Sequence, residues 1–164
     1  MNIFETLRLD HAGVRNLMED LIDGDRAAEN WPEVFYDLKL ALVAHNRAEE
    51  QVFYDVLNRI PNREELADIK TEEHHMAEEI LQDLEEMSPS DRDWDTTLGL
   101  LKNQIESHIA EEETFVFAVI EAQISDEEAE TMSEAFERAR TEVMQTSDYL
   151  PRATVDFNPA GRGL

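Results

Sequence analysis

His45 and Glu49, and again His108 and Glu112, share one spacing, H-x-x-x-E, and each pair sits midway along a long segment with apolar periodicity. Four residues turn an α-helix by about 400°, so both members of a pair face the same way, one turn apart. Here they face the apolar stripe. A His and a Glu buried side by side are costly unless a partner offsets their desolvation, and a metal ion does so.

The segments that must position these pairs read as helices. The first, about 3–23, places Phe4, Leu7, Val14, Met18 and Leu21 on one face and stops near Asp23-Gly24. Asn30 and Pro32 mark the start of a second, about 31–59, with Phe35, Leu38, Leu42, Val52, Val56 and Leu57 inward and Pro61 beyond its end. The third, about 62–87, carries Leu66, Ile69, Ala77, Ile80, Leu84 and Met87. Ser88-Pro89-Ser90-Asp91 is a loop and cap, and the fourth, about 91–124, carries Leu98, Leu101, Ile105, Phe115, Val116 and Val119. Ser125 with Glu128 is a capping box for a fifth, about 126–146, whose Ala129, Met132, Phe136 and Val143 are spaced for docking. Residues 147–164 lose the pattern and read as an extended tail. No segment reads as a strand. The expectation is all-α: an up-down-up-down four-helix bundle over 1–124, an appended helix over 125–146, and the tail.

The chain has five histidines, and every bundle segment carries at least one. His11 falls within the apolar arc of the first. His45 with Glu49, and His108 with Glu112, lie at the centres of the second and fourth. In the third the apolar arc centres near Ile80 and Glu73, so His74, about 100° away beside Ala77, is preferred over His75. Glu78 follows His74 by one turn. A lone core histidine is more often a hydrogen-bonded structural residue than a ligand, and a lone His-Glu pair is usually a surface pair. Burials at similar depth on four helices, with Lys39, Arg47 and Lys102 pointing away, need a common cause. The candidate ligand set is His11, His45, Glu49, His74, Glu78, His108 and Glu112. Seven ligands exceed one tetrahedral ion and suit two octahedral ones. Imidazole and carboxylate without thiolate suit iron, manganese or zinc. Glu49 and Glu112 are placed to bridge, His11 and His45 to complete one ion, and His74, His108 and Glu78 the other. The ferritin-like pattern, Glu-x-x-His on each of two helices, occurs at Glu72/His75 and fails elsewhere.

The formal charge is −25, from 14 Lys and Arg against 39 Asp and Glu. That speaks against nucleic acid and anionic membranes as partners. There is no cysteine, hence no disulfide or thiolate site. No signal peptide or spanning segment is read, and a cytoplasmic location is expected.

The pieces LRLDHAGVRNLMEDL, LVAHNRAEEQVFYDVL, TEEHHMAEEIL and SHIAEEETFVFAVI, across about residues 4–122, resemble the hemerythrin family and more closely its HHE cation-binding branch. The resemblance implies a bundle around an oxo- or hydroxo-bridged di-iron site that binds O₂, with His11, His45, His74 and His108 as iron ligands and Glu49 and Glu112 bridging. Two departures stand out. Oxygen carriers of the family have a His where Glu78 stands, and an Asp five residues after the last His where Glu112 comes after four. A Glu78 ligand would make the site harder and favour the ferric state, which weighs against reversible O₂ carriage. The expected function is a non-haem di-iron protein that binds O₂ or a related small ligand for sensing, storage or delivery. The alternatives are a di-iron enzyme consuming peroxide or nitric oxide, and an iron-handling protein without redox turnover. Phe53, Phe115 and Met18 are expected near the site, leaving room for a diatomic. Helix five and the tail are the candidate surface for a protein partner or a homodimer.

Overall fold

The computed structural model describes residues 1–146; the expected tail lies outside them. Four long helices form the bundle: α1 (Ile3–Asp23), α2 (Trp31–Val52), α4 (Glu64–Glu86) and α5 (Trp94–Glu111). Each packs on two others, α1 on α2 and α5, and α4 likewise, in the up-down-up-down order. Two short helices extend them: α3 (Tyr54–Arg59) continues α2 past a break at Phe53, and α6 (Phe117–Glu121) continues α5 past a π-helical turn, Glu112–Val116. The fifth long helix, α7 (Asp126–Gln145), lies against α1 and α2.

Local chemistry sets the ends. Asn2 and Glu5 form a capping box on α1, and Ser125 and Glu128 form the expected one on α7. Gly24 closes α1 where a Cβ would stand 2.6 Å from the Asp20 carbonyl oxygen, so the close approach needs glycine. Pro61 and Asn62, the latter in the left-handed region at φ 63°, separate α3 from α4. The Ser88–Asp91 loop is held by the Asp91 carboxylate on the Ser88 amide, and α5 starts three residues later than expected, at Trp94.

Two helix faces differ from the sequence expectation. On α4 the buried row is Ala67, Lys70, His74, Ala77, Leu81 and Leu84, while Ile69 is exposed and Ile80 half-buried. This is a three-four repeat that apolar counting misses because it includes a lysine. It puts His74 at the centre of the face and leaves His75 half exposed. Beyond Glu112 the π turn holds about one extra residue, so the inward face slips by one. Phe115 is 42% exposed and Val119 only half-buried; Val116 is buried as expected, and Phe117 and Ile120 join it.

The core falls into two apolar clusters. One packs Trp31, Phe35, Leu38, Leu81, Trp94 and Leu98. The other packs Phe4, Leu7, Phe53, Leu57, Phe117 and Phe136. Along every bundle helix, the buried histidines and glutamates occur where one cluster gives way to the other: His11 between Leu7 and Val14, His45 between Leu42 and Ala48, His74 between Ala67 and Ala77, His108 and Glu112 between Ile105 and Val116.

Candidate metal centre

Four helices deliver one histidine each to that boundary, and every one is nearly fully buried. Each ring is gripped from outside by a carboxylate at Nδ1. His11 meets Glu113 at 2.8 Å, His45 meets Asp10 at 2.9 Å, His74 meets Glu50 at 2.9 Å, and His108 meets Glu73 at 2.7 Å. An Nδ1–H donated outward aims the Nε2 lone pair inward, the orientation a metal-ligating imidazole needs. Each outer carboxylate is itself met by a cation: Arg15, Arg140, Arg47 and Lys70 respectively. Periodicity sets Glu73 near an apolar arc without giving it a role, and it does not single out Asp10, Glu50, Glu113 or the buried Lys70, because outer-face acids abound in so acidic a chain.

The inward atoms converge on two carboxylates with no measurable exposure. Glu49 lies 3.2 Å from His45 Nε2, 3.3 Å from His74 Nε2 and 4.0 Å from His108 Nε2. Glu112 lies 3.4 Å from His11 Nε2 and 3.6 Å from His108 Nε2. These donors form two overlapping groups, His11/His45/Glu49/Glu112 and Glu49/His74/His108, and the donor atoms within each lie within 4.8 Å of one another. Glu49 belongs to both, as a bridge would. The donor set therefore fits two ions. Three inner atoms, His11 Nε2, Glu49 Oε1 and Glu112 Oε2, are buried without a hydrogen-bond partner. Orphans of this kind are rare in a folded core, and three of them converging on one point suit donors to a bound ion.

Protonation follows from this crowding. Burial alone would depress His45, but the Glu49 charge and the hydrogen bonds to Asp10 and Glu49 carry it up to about 10. His108 is likewise penalised by burial and raised to about 9 by Glu112, Glu49 and Glu73. Glu49, whose burial opposes ionisation, is held well below its ordinary range by His45, His108 and His74. Without metal these groups neutralise one another; a metal would displace the imidazole protons.

Tyr54 is the inner residue that sequence reasoning missed. Its hydroxyl donates to Glu112 at 2.6 Å and lies 3.2 Å from Glu49 and 3.3 Å from His74 Nε2. Burial and the two carboxylates push its pKa well above 10. It stands five residues after Glu49, just past the break at Phe53, in an aromatic run that reads as core.

Six of the seven residues expected from sequence come together; Glu78 does not. Its carboxylate is taken by Arg47 at 2.6 Å and by Asn46 at 3.0 Å, at the bundle surface. The buried row runs from His74 through Ala77 to Leu81, so Glu78 falls to one side of it, where Asn46 and Arg47 meet it. The harder, ferric-favouring site expected from a Glu78 ligand loses its basis. The expected wall also changes, since Met18 and Phe53 lie in the two apolar clusters and Phe115 is outside. The cavity that adjoins the site is bounded by the four histidine rings together with Val14, Leu42, Ala77, Ile105 and Ile109. It offers about 20 Å³ to the centre of a water-sized sphere, room for roughly one such molecule.

Fold and donor set together define a cation-binding helical bundle. The chain belongs to the Hemerythrin HHE cation binding domain family, whose model matches residues 2–120. It is 26% identical over 148 residues to a DNA nickase of Nostoc sp., covering 88% of this chain and 41% of that protein. It is 29% identical over 101 residues to a hemerythrin-like protein of Schizosaccharomyces pombe, covering 60% of this chain and 50% of the other. The chain thus spans half or less of these curated relatives. The crystal structure of a Hemerythrin HHE cation binding domain-containing protein from Mycobacterium kansasii superposes with a TM-score of 0.77 over 87% of both chains, at 23% identity, which establishes the shared fold. Among the described residues no helix is long and apolar enough to cross a membrane.

Proposed function

We propose that this chain is a non-haem di-iron protein that binds O₂ or a related small ligand in its core. The observation that carries the reading is the set of orphaned inward donors beside a cavity the size of one small molecule. His11 and His45 would hold one ion, His74 and His108 the other, with Glu49 and Glu112 shared between them. Iron suits this all-nitrogen-and-oxygen set and supplies a redox-active Lewis acid in a site shielded from bulk water. The protein's own part is to aim the four rings through their outer carboxylates, to exclude organic substrates by cavity size, and to keep a phenol proton at Tyr54 against the two carboxylates.

Tyr54 also favours a second reading, consumption of peroxide, because it places a proton donor among the inner groups. The DNA nickase relative does not lead us to propose nicking: the chain spans 41% of that protein, and its net charge of −25 repels a phosphate backbone.

The test is iron analysis with an absorption spectrum, on protein loaded with ferrous iron under anaerobic conditions and then exposed to O₂. About two irons per chain and a near-ultraviolet charge-transfer band are expected. Zinc alone, or no iron in protein grown with ample iron, would overturn the reading. Rapid loss of added peroxide, dependent on Tyr54, would select the second reading.

A further inference from the structure

Three of the four His-carboxylate pairs draw their cation from the four bundle helices; the fourth does not. Asp10 uses one carboxylate oxygen on His45 Nδ1 at 2.9 Å and the other on Arg140 Nη1 at 2.8 Å, and Arg140 comes from α7. Asp10 and Arg140 are 13% and 28% exposed, so the pair is partly shielded from water. A second contact from α7 bears on the same ring: the fully buried Phe136 packs edge-on against His45, centroids 5.8 Å apart. One helical turn separates these residues, and Ser133, one turn earlier, is tied to Thr6 of α1 by a buried 2.6 Å hydrogen bond. The match to the family ends at residue 120, so this helix lies outside it.

From these contacts we infer that Arg140 is a positioning residue for the metal centre: through Asp10 it holds His45 in the orientation that presents Nε2 inward, making α7 a working wall of the site. The inference rests on the two-metal reading above. A carboxylate held at both oxygens cannot rotate away from the imidazole, and loss of such an outer partner typically weakens a metal site about 10- to 100-fold.

Cobalt(II), a spectroscopic probe that needs no oxygen chemistry, tests this in competition with a chelator on the full chain. Arg140→Ala is expected to weaken one of two bound cobalt ions, by up to about the tenfold that loss of the Asp10 carboxylate itself would cause, and spare the other. Arg140→Lys should recover most of the affinity, since an ammonium can still meet Asp10. Arg138→Ala, on the exposed face of the same helix, should match the unaltered chain. Metal-free protein gives a second readout: ring-nitrogen NMR signals of His45 should move in Arg140→Ala while those of His74 and His108 stay. Unchanged cobalt affinity with unchanged His45 signals would overturn the inference. So would equal weakening of both ions that Arg140→Lys fails to relieve, which marks a merely structural role. If the unaltered chain binds no cobalt, the two-metal reading falls, and the NMR comparison still decides whether Arg140 positions His45.

Discussion

Around Trp94 the bundle is regular: α1, α2, α4 and α5 run unbroken, and their Leu, Phe and Trp side chains close over one another. Around Phe117 it is not: α2 breaks at Phe53, α5 passes through a π turn, and a fifth helix fills the side of the bundle. The histidines lie where the two regions meet. The regular region needs only hydrophobic periodicity and supplies stability. The irregular region departs from periodicity at Phe53 and after Glu112: past the first break Tyr54 meets Glu112 at 2.6 Å, and within the π turn Glu113 meets the outer nitrogen of His11 at 2.8 Å. π turns recur at functional sites for this reason: an extra residue re-aims a side chain that a uniform helix would carry past.

Substitutions should separate the two regions. The largest effect is expected at the boundary itself. Glu49→Ala should lose at least one iron per chain, by elemental analysis, because both donor groups share that carboxylate. Full retention of two irons would remove Glu49 from the site. In the regular region, Phe35→Ala empties a fully buried ring position and should cost about 3–5 kcal/mol in urea unfolding. Iron per folded chain should stay unchanged, and a loss of iron would mean that the two regions are coupled. Tyr54→Phe leaves a Glu112 oxygen without its donor and should destabilise the metal-free chain by about 1–3 kcal/mol; an unchanged urea midpoint would count against that hydrogen bond.

The pH dependence of the metal-free chain sharpens the picture. His45 and His108 are raised from 6.5 to about 10 and about 9 on folding. Their stabilisation is full below pH 6.5 and lost as pH rises through about 9 and 10. Glu49 is shifted the other way, so its contribution is present above its ordinary 4.5 and fades as pH falls toward its depressed value. Urea midpoints should therefore decline on raising pH from 6.5 toward 10, and the decline should shrink in a chain loaded with metal. A flat profile would refute the protonated histidines. The smallest effect belongs to His75→Ala, half exposed and beside Glu72: no iron lost and little change in stability. Iron loss in His75→Ala with retention in His74→Ala would reverse the assignment on α4.

Much of this was legible along the chain. Period-3.6 apolar spacing, the Ser125/Glu128 box and the Pro and Gly breaks give the helices and their order. The doubled His-x-x-x-Glu gives the inner residues of α2 and α5. These are local properties, set by how side chains repeat around one helix. What the tertiary structure alone decided depends on neighbours. The rotation of α4 shows only in its buried row, Ala67, Lys70, His74, Ala77, Leu81 and Leu84, with Lys70 paired to Glu73 and Glu111 and Glu78 left to Arg47. The slip after Glu112 came from a π turn whose residues look helical in sequence. The outer carboxylates on the four rings come from other elements: Asp10 from α1 for α2, Glu113 from the π turn for α1, Glu50 from α2 for α4, Glu73 from α4 for α5. A single helix specifies which residues share its face; which partner that face meets is set only when the helices pack.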